Sequence, residues 1–334
     1  MIRRHMFMSA LAATVALSGC GGGKGGATPT PTASPTPTPT PSPTYAAFPL
    51  AAAAEFNTYS AAISYTGDPA TSAVTLGAAS TETLSTRVRL ATDSAINTGT
   101  YVMRENTEES RFCVPTGQTC TSTLVTPSAA ANPEFVFRTN DATTAGKFAQ
   151  VEYLNNVIPT MITSDAGLAL TRVSYANWWR GDSTAGQKRL AYTAWGYSTA
   201  LSDMPTTGTV TYTNRITGRL VSTSGTTTTI NQVTGTVTVN VNFATGVVDM
   251  AFTLSTIPAG GGAQVAYANF TAQGAIPVGQ NQWTGSFTNA SPLSGTLAGG
   301  FFGSQGEQIG VVFSASGTLG GAQQRLIGVV IGKK

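Results

Sequence analysis

The last third of the chain alternates. In "GTVTVNVNFATGVVDMAFTLS", Val237, Val239, Val241 and Phe243 take every second position against Thr and Asn, and after Ala-Thr-Gly the residues Val248, Met250, Phe252 and Leu254 repeat the pattern. A period of two broken by a tight glycine turn predicts two antiparallel strands with one apolar face. The same alternation recurs in "AQVAYANFTAQG", "QWTGSFTNA", "GTLAGGFFG", "QIGVVFSASG" and "RLIGVVIGKK". With "GTVTYTN" near residue 208, these make about eight strands joined by Gly, Pro or Asn turns. Even spacing without helices predicts an eight-stranded antiparallel up-and-down barrel, which leaves no exposed edges. Its bulky inward set, Trp283 included, predicts a filled interior. A membrane-spanning barrel is the competing reading, disfavoured because the turns come too close together for a ~25 Å apolar band.

Ahead of it, residues 45–194 read as a smaller β-rich domain, and the barrel domain is placed at 195–334. Strands are expected in "TLSTRVRLAT", "GTYVMRE", "FVFRTN", "FAQVEYL" and "LALTRVSYANWWRG". One run, "YAAFPLAAAAEFNTYSAAI", reads as helical. The fold class is mainly all-β.

Before residue 45 nothing is foldable. Arg3 and Arg4 precede a short apolar stretch from Met6 to Leu17, too short to cross a bilayer but suited to a secretory leader. It ends at Leu17-Ser18-Gly19-Cys20, which resembles the lipobox of bacterial lipoproteins. That resemblance implies cleavage after residue 19, diacylglyceryl attachment at the Cys20 sulfur and acylation of its new amino group. Gly21 after the cysteine implies sorting to the outer membrane. Residues 20–44 then form a tether: glycines first, then a Thr-Pro ladder from Thr28 to Thr44 that blocks helix and sheet. At ~3.1 Å per residue, some 20 residues reach on the order of 60 Å.

Composition narrows what the remainder can do. Charged residues make up 10% of the chain, and loss of Arg3 and Arg4 with the leader leaves 16 basic against 15 acidic residues. That balance offers no basic face for nucleic acid. The single histidine, His5, lies in the leader, so the mature chain has no imidazole for Ser-His-Asp or Cys-His catalysis, zinc or haem ligation. No metal or cofactor site is expected. Carboxylate-only hydrolysis stays open, but the acidic residues are scattered singly, as solvated loop residues usually are. The chain is read as no enzyme. Cys113 and Cys120 flank a Pro-Thr-Gly turn, which in an oxidising compartment reads as a disulfide across a hairpin loop.

Several motifs then fall in one order. Trp195-Gly196-Tyr197, then Pro205, Gly208 and Tyr212, then the hairpin Phe243 to Gly246, then Gly300, Phe302, Gly303, Glu307 and Gly310 resemble the barrel domain of transferrin-binding protein B and related Gram-negative surface lipoproteins. The family's usual Tyr-Gly-Pro is replaced here by Phe302-Gly303-Ser304. The resemblance spans roughly residues 190–334 and implies a barrel behind a smaller handle domain, in one lobe rather than that protein's two. The last motif reads as fold-making: its glycines suit tight turns, and Glu307 is placed to accept backbone N–H groups.

The densest aromatics are Trp178, Trp179, Trp195 and Tyr197, in "YANWWRGD" and "YTAWGY". They are the candidate ligand contacts, since such residues concentrate at interface hot spots, and equally a candidate seam between handle and barrel; the seam is favoured. Arg180-Gly181-Asp182 reads as a chance tripeptide. The reading is a lipid-anchored outer-membrane protein, surface-exposed or periplasm-facing, binding a protein or small iron-source ligand. The alternative is a structural or adhesive envelope lipoprotein.

Overall fold

A computed structural model describes residues 42–91, 100–105, 108–113, 122–158, 162–182, 186–289 and 292–334. Cys20 and Cys120 lie outside these residues. Cys113, at the end of a strand, is disulfide-bonded.

The first part is one antiparallel sheet of nine strands: β1 (Ala54–Thr66), β2 (Thr75–Ala91), β3 (Thr100–Glu105), β4 (Glu108–Cys113), β5 (Thr123–Thr126), β6 (Glu134–Asn140), β7 (Phe148–Leu154), β8 (Val173–Gly181) and β9 (Gln187–Gly196). Their order is β4-β3-β2-β1-β9-β8-β7-β6-β5. The sheet curls until its edges approach: Ser122 Oγ donates to Arg111 O across the gap at 3.4 Å, and the Phe112 and Phe137 rings stack at 6.5 Å. Inside the curl lies a core of Phe48, Phe56, Tyr101, Phe135, Phe137, Tyr153, Trp178 and Trp195.

The expected helix over 45–63 is not there, because β1 occupies its second half. β1 sits in mid-sheet between β2 and β9 and is covered on both sides. Phe56 enters the curled core, while Tyr59, Ala61, Ile63 and Tyr65 face the barrel. A strand buried on both faces loses its polar alternation, and an alanine-rich one then reads as helix.

The second part is a closed barrel of β10 (Thr209–Ser224), β11 (Thr227–Asn242), β12 (Val247–Ile257), β13 (Val265–Ala275), β14 (Gln282–Phe287), β15 (Leu293–Phe302), β16 (Gln308–Leu319) and β17 (Ala322–Lys333), each paired to the next and β17 back to β10. The eight-stranded up-and-down barrel and the mainly all-β class are as expected. The interior is filled by Val239, Val241, Met250, Phe252, Phe270, Trp283, Phe301 and Phe313. Trp283 fits because β13 and β15 put glycines beside it: a Cβ on Gly274 would lie 2.5 Å from its ring, and one on Gly299 3.1 Å. The outward positions of β11–β13, such as Thr236, Thr238, Asp249, Asn269 and Gln273, are polar and exposed. This apolar-in, polar-out sense is the reverse of a lipid-facing barrel.

The boundary drawn at 194/195 falls inside β9, so Trp195 and Gly196 belong to the N-terminal sheet and the barrel strands begin at Thr209. The two parts share a seam. Barrel strands β15–β17 turn Ala298, Phe302, Val312, Ile327, Val329 and Ile331 outward against Tyr59, Ile63, Val173, Tyr175, Leu190 and Tyr192 of the sheet. These three strands are therefore apolar on both faces, whereas β10 turns Arg215 and Arg219 toward the sheet.

Candidate functional site

The aromatic residues singled out from sequence do not form one patch. Along β8 successive side chains point to opposite faces. Trp178 enters the curled core and is fully buried; Trp179 turns to the seam side and meets Phe148 edge-on at 5.6 Å. Trp195 is fully buried and, with half-buried Tyr197, encloses Phe48 and Phe56 at ring distances of 5.0–5.5 Å. The seam expected for the whole group is corrected to Trp179 alone; the other three build the interior of the N-terminal sheet.

The glycine motif has a location its spacing did not disclose. Gly300 lies under Tyr59, whose hydroxyl would be 2.1 Å from an added Cβ, and a Cβ on Gly310 would meet Val173 and Ala194 at 3.0 and 3.1 Å. Both let the barrel wall approach the sheet. Phe302 lies between them, buried edge-on against Tyr59. Gly303 has φ of 74°, a conformation costly for other residues, and its N–H donates to Tyr197 O at 2.8 Å. Glu307 was expected to tie down its own turn; instead its Oε1 accepts from Arg172 Nε of the N-terminal part at 2.7 Å. Gln308 Oε1 beside it accepts the backbone N–H of Arg172 and Val173. Arg172 also donates to Tyr45 O and Ala46 O, and the Tyr45 hydroxyl donates to Asp203, so the first folded residues are pinned beside this turn.

At the other end of β8, nine residues or roughly 30 Å away, the curled sheet opens. A cavity of about 660 Å³ there is lined by Tyr65, Glu108, Asp141, Lys147, Phe148, Arg180, Asp182 and Arg189, among others. Behind it, Arg180 and Arg189 are cross-strand neighbours whose like charges would repel. Buried Glu105 lies between them, accepting from Arg180 Nη2 at 2.7 Å and from Arg189; Glu108 adds a further contact to Arg180. The Arg180 guanidinium rests 3.7 Å from the Trp178 ring centroid, and burial pulls its pKa down against the pull of Glu105. Arg180 is therefore occupied, so the Arg-Gly-Asp tripeptide is not a displayed loop.

A second charged group lies in the seam. Glu152 Oε2 accepts from Arg219 Nη2 and Asn177 Nδ2, each at 2.9 Å, and Glu134 Oε1 accepts from the Tyr175 hydroxyl at 2.6 Å. Burial, with Glu152 adding to it, pushes the Glu134 carboxyl up to about 7. These acids were expected to be solvated; instead Glu152 is buried between sheet and barrel and Glu134 is half-buried beside it. Apart from Gln150, which donates to Glu152 from two residues away, their partners stand far off in sequence. Among the described residues no cluster of three or more His, Cys, Asp or Glu is placed to hold a metal ion.

Residues 204–334 match the family model for the C-lobe and N-lobe β-barrels of transferrin-binding protein B. The match covers the barrel and does not extend to the N-terminal sheet. No curated protein matches the chain significantly. Among solved structures, a double mutant of transferrin-binding protein B from Haemophilus parasuis Hp5 is similar at 11% identity over 85% of this chain and 76% of that one, with a TM-score of 0.36. The isotype 1 protein from serogroup B Neisseria meningitidis gives 11% identity over 83% of this chain and 43% of that one, also at 0.36. The likeness to the transferrin-binding protein B barrel rests on the sequence match over residues 204–334.

Proposed function

We propose that this chain is an outer-membrane lipoprotein, anchored at Cys20, whose sheet-and-barrel lobe captures a protein ligand such as an iron carrier. The observation that carries the reading is the family match of residues 204–334, since transferrin-binding protein B is named for capturing a protein. Tyr45, near the start of the described lobe, is held beside the 303–307 turn, and the strand ends opposite it lie at the far end of β8. Those ends carry the 660 Å³ mouth with acidic and basic groups in balance, a surface suited to the mixed charges of a protein rather than to a polyanion. The filled barrel serves as the support and the N-terminal sheet as the contact module.

Protease shaving of intact cells tests it, with Cys20→Ala as the anchoring control. The lobe should be digested from whole cells, the control should be lost from the membrane fraction, and immobilised lobe should retain an extracellular iron-carrier protein. A lobe cut only after the outer membrane is opened would place it on the periplasmic side and sink the capture role in favour of an envelope-structural one.

A further inference from the structure

We propose that the seam between the N-terminal sheet and the barrel is a proton-operated latch, tight while Glu134 holds a proton and eased once it loses it. The inference rests on the fold alone and does not depend on the ligand. Three carboxylates and two guanidinium groups meet at this flank of the seam. Arg215 on β10 is taken by Asp165, its Nε and Nη2 both donating at 3.2 Å. Arg219 on β10 is taken by Glu152 on β7. Glu134, at the start of β6, has no ion-pair partner: it accepts from the neutral Tyr175 hydroxyl of β8, the Glu152 charge faces it from the next strand and favours its protonated form, and the Arg219 charge, held by Glu152, acts more weakly in the opposite sense. Tyr192 on β9, buried beside the same cluster, brings no positive charge. Leu168, Ile216, Val329 and Ile331 add apolar surface, and Arg215 lines the same cavity with its charge held by Asp165. A carboxylate so placed is costly when ionised and comfortable when protonated. A cavity of about 150 Å³ touching Glu134, Tyr175, Thr217 and Gln232 gives water a place to enter once the charge appears.

The sign follows from linkage. The carboxyl titrates near 7 in the closed seam, against 4.5 when solvated. The stabilisation is therefore complete below about 4.5, is lost as pH rises toward 7, and has no more to lose above that. Seam opening should rise by up to tenfold per pH unit between about 5 and about 7, then level off.

Hydrogen exchange of the full mature chain from pH 5 to 8.5, corrected for intrinsic exchange, tests this. Opening of segments 134–154 and 215–221 should follow that curve, while 247–275 on the far barrel wall stays flat. Glu134→Gln should be flat and tight at every pH. Glu152→Gln frees Arg219 to pair with Glu134 and should bring the plateau to lower pH; if that variant does not fold, Glu134→Gln decides alone. A wild-type seam without pH dependence, a slope that survives Glu134→Gln, or one shared equally by 247–275 would overturn the latch.

Discussion

Gly300 offers the sharpest test of how the lobe is joined. An added Cβ would lie 2.1 Å from the Tyr59 hydroxyl oxygen, 2.5 Å from Cζ and 2.7 Å from Cε2. Tyr59 cannot step aside: it is 3% exposed, on a strand hydrogen-bonded on both sides, with Phe302 edge-on at 6.2 Å. Gly300→Ala therefore forces barrel and sheet apart. Overpacking of this kind costs typically 1–3 kcal/mol. For a lobe of this size, about 2 kcal/mol lowers Tm by ~4–8 °C. Differential scanning fluorimetry reads the shift, and Gly260→Ala is the control, since a Cβ there meets nothing within 4 Å and its change should stay within ~0.5 kcal/mol. A double-mutant cycle makes the argument specific. Tyr59→Leu removes the atoms that clash, so Gly300→Ala should cost little in that background, with a coupling above ~0.5 kcal/mol. Strict additivity, or a Gly300→Ala protein as stable as wild type, would mean that the close approach at this glycine does not hold the lobe together.

Three further outcomes follow from the same packing. Trp178→Ala should cost ~3–5 kcal/mol by chemical denaturation, because it empties the curled core and strips the ring from under Arg180. Tyr267→Phe removes the hydroxyl that donates to buried Gln324 Oε1 at 2.5 Å and should cost about 1–3 kcal/mol; an unchanged midpoint would show that the amide finds another donor. Arg172→Met breaks the contacts to Glu307, Tyr45 and Ala46 together, and limited proteolysis should then cut near residue 46 faster than in wild type while the barrel core survives.

The barrel was legible because its strands obey a period of two: β11 and β12 bury Val237, Val239, Val241, Val248, Met250 and Phe252 and expose what lies between. Where a strand is covered twice the signal fails, as in β1, whose Ala61 and Ala62 are both buried though they point to opposite faces. Aromatic density near residues 178–197 marked a real concentration of burial but not its address. Adjacent Trp178 and Trp179 are separated by the thickness of the sheet, and only the pleat says so. Least legible was the charge chemistry. Glu134 and Glu152 look like isolated surface acids, and their partners Tyr175, Asn177 and Arg219 are brought to them only by the closed fold.

This uneven legibility explains why the family resemblance sits where it does. Gly300, Phe302, Gly303, Glu307 and Gly310 lie on or beside barrel strands covered by their own interior on one side and by the N-terminal sheet on the other. A wall packed on both faces tolerates few substitutions: a glycine that admits Tyr59, a phenylalanine against it and a carboxylate holding Arg172 are each specified by a neighbour at contact distance. Outside the Arg180–Glu105–Arg189 cluster, the rim at the far ends of β1, β4, β7 and β8 has less of this constraint, since its side chains line an open mouth. The recognisable part of this sequence is thus the part that keeps the lobe in one piece, while a ligand would be chosen by the part that carries no motif. Seam substitutions should accordingly alter lobe stability before affinity, and substitutions at Lys147, Asp182 or Lys188 on the mouth should alter affinity with stability within ~0.5 kcal/mol of wild type. A mouth variant that lost stability and retained capture would reverse that division.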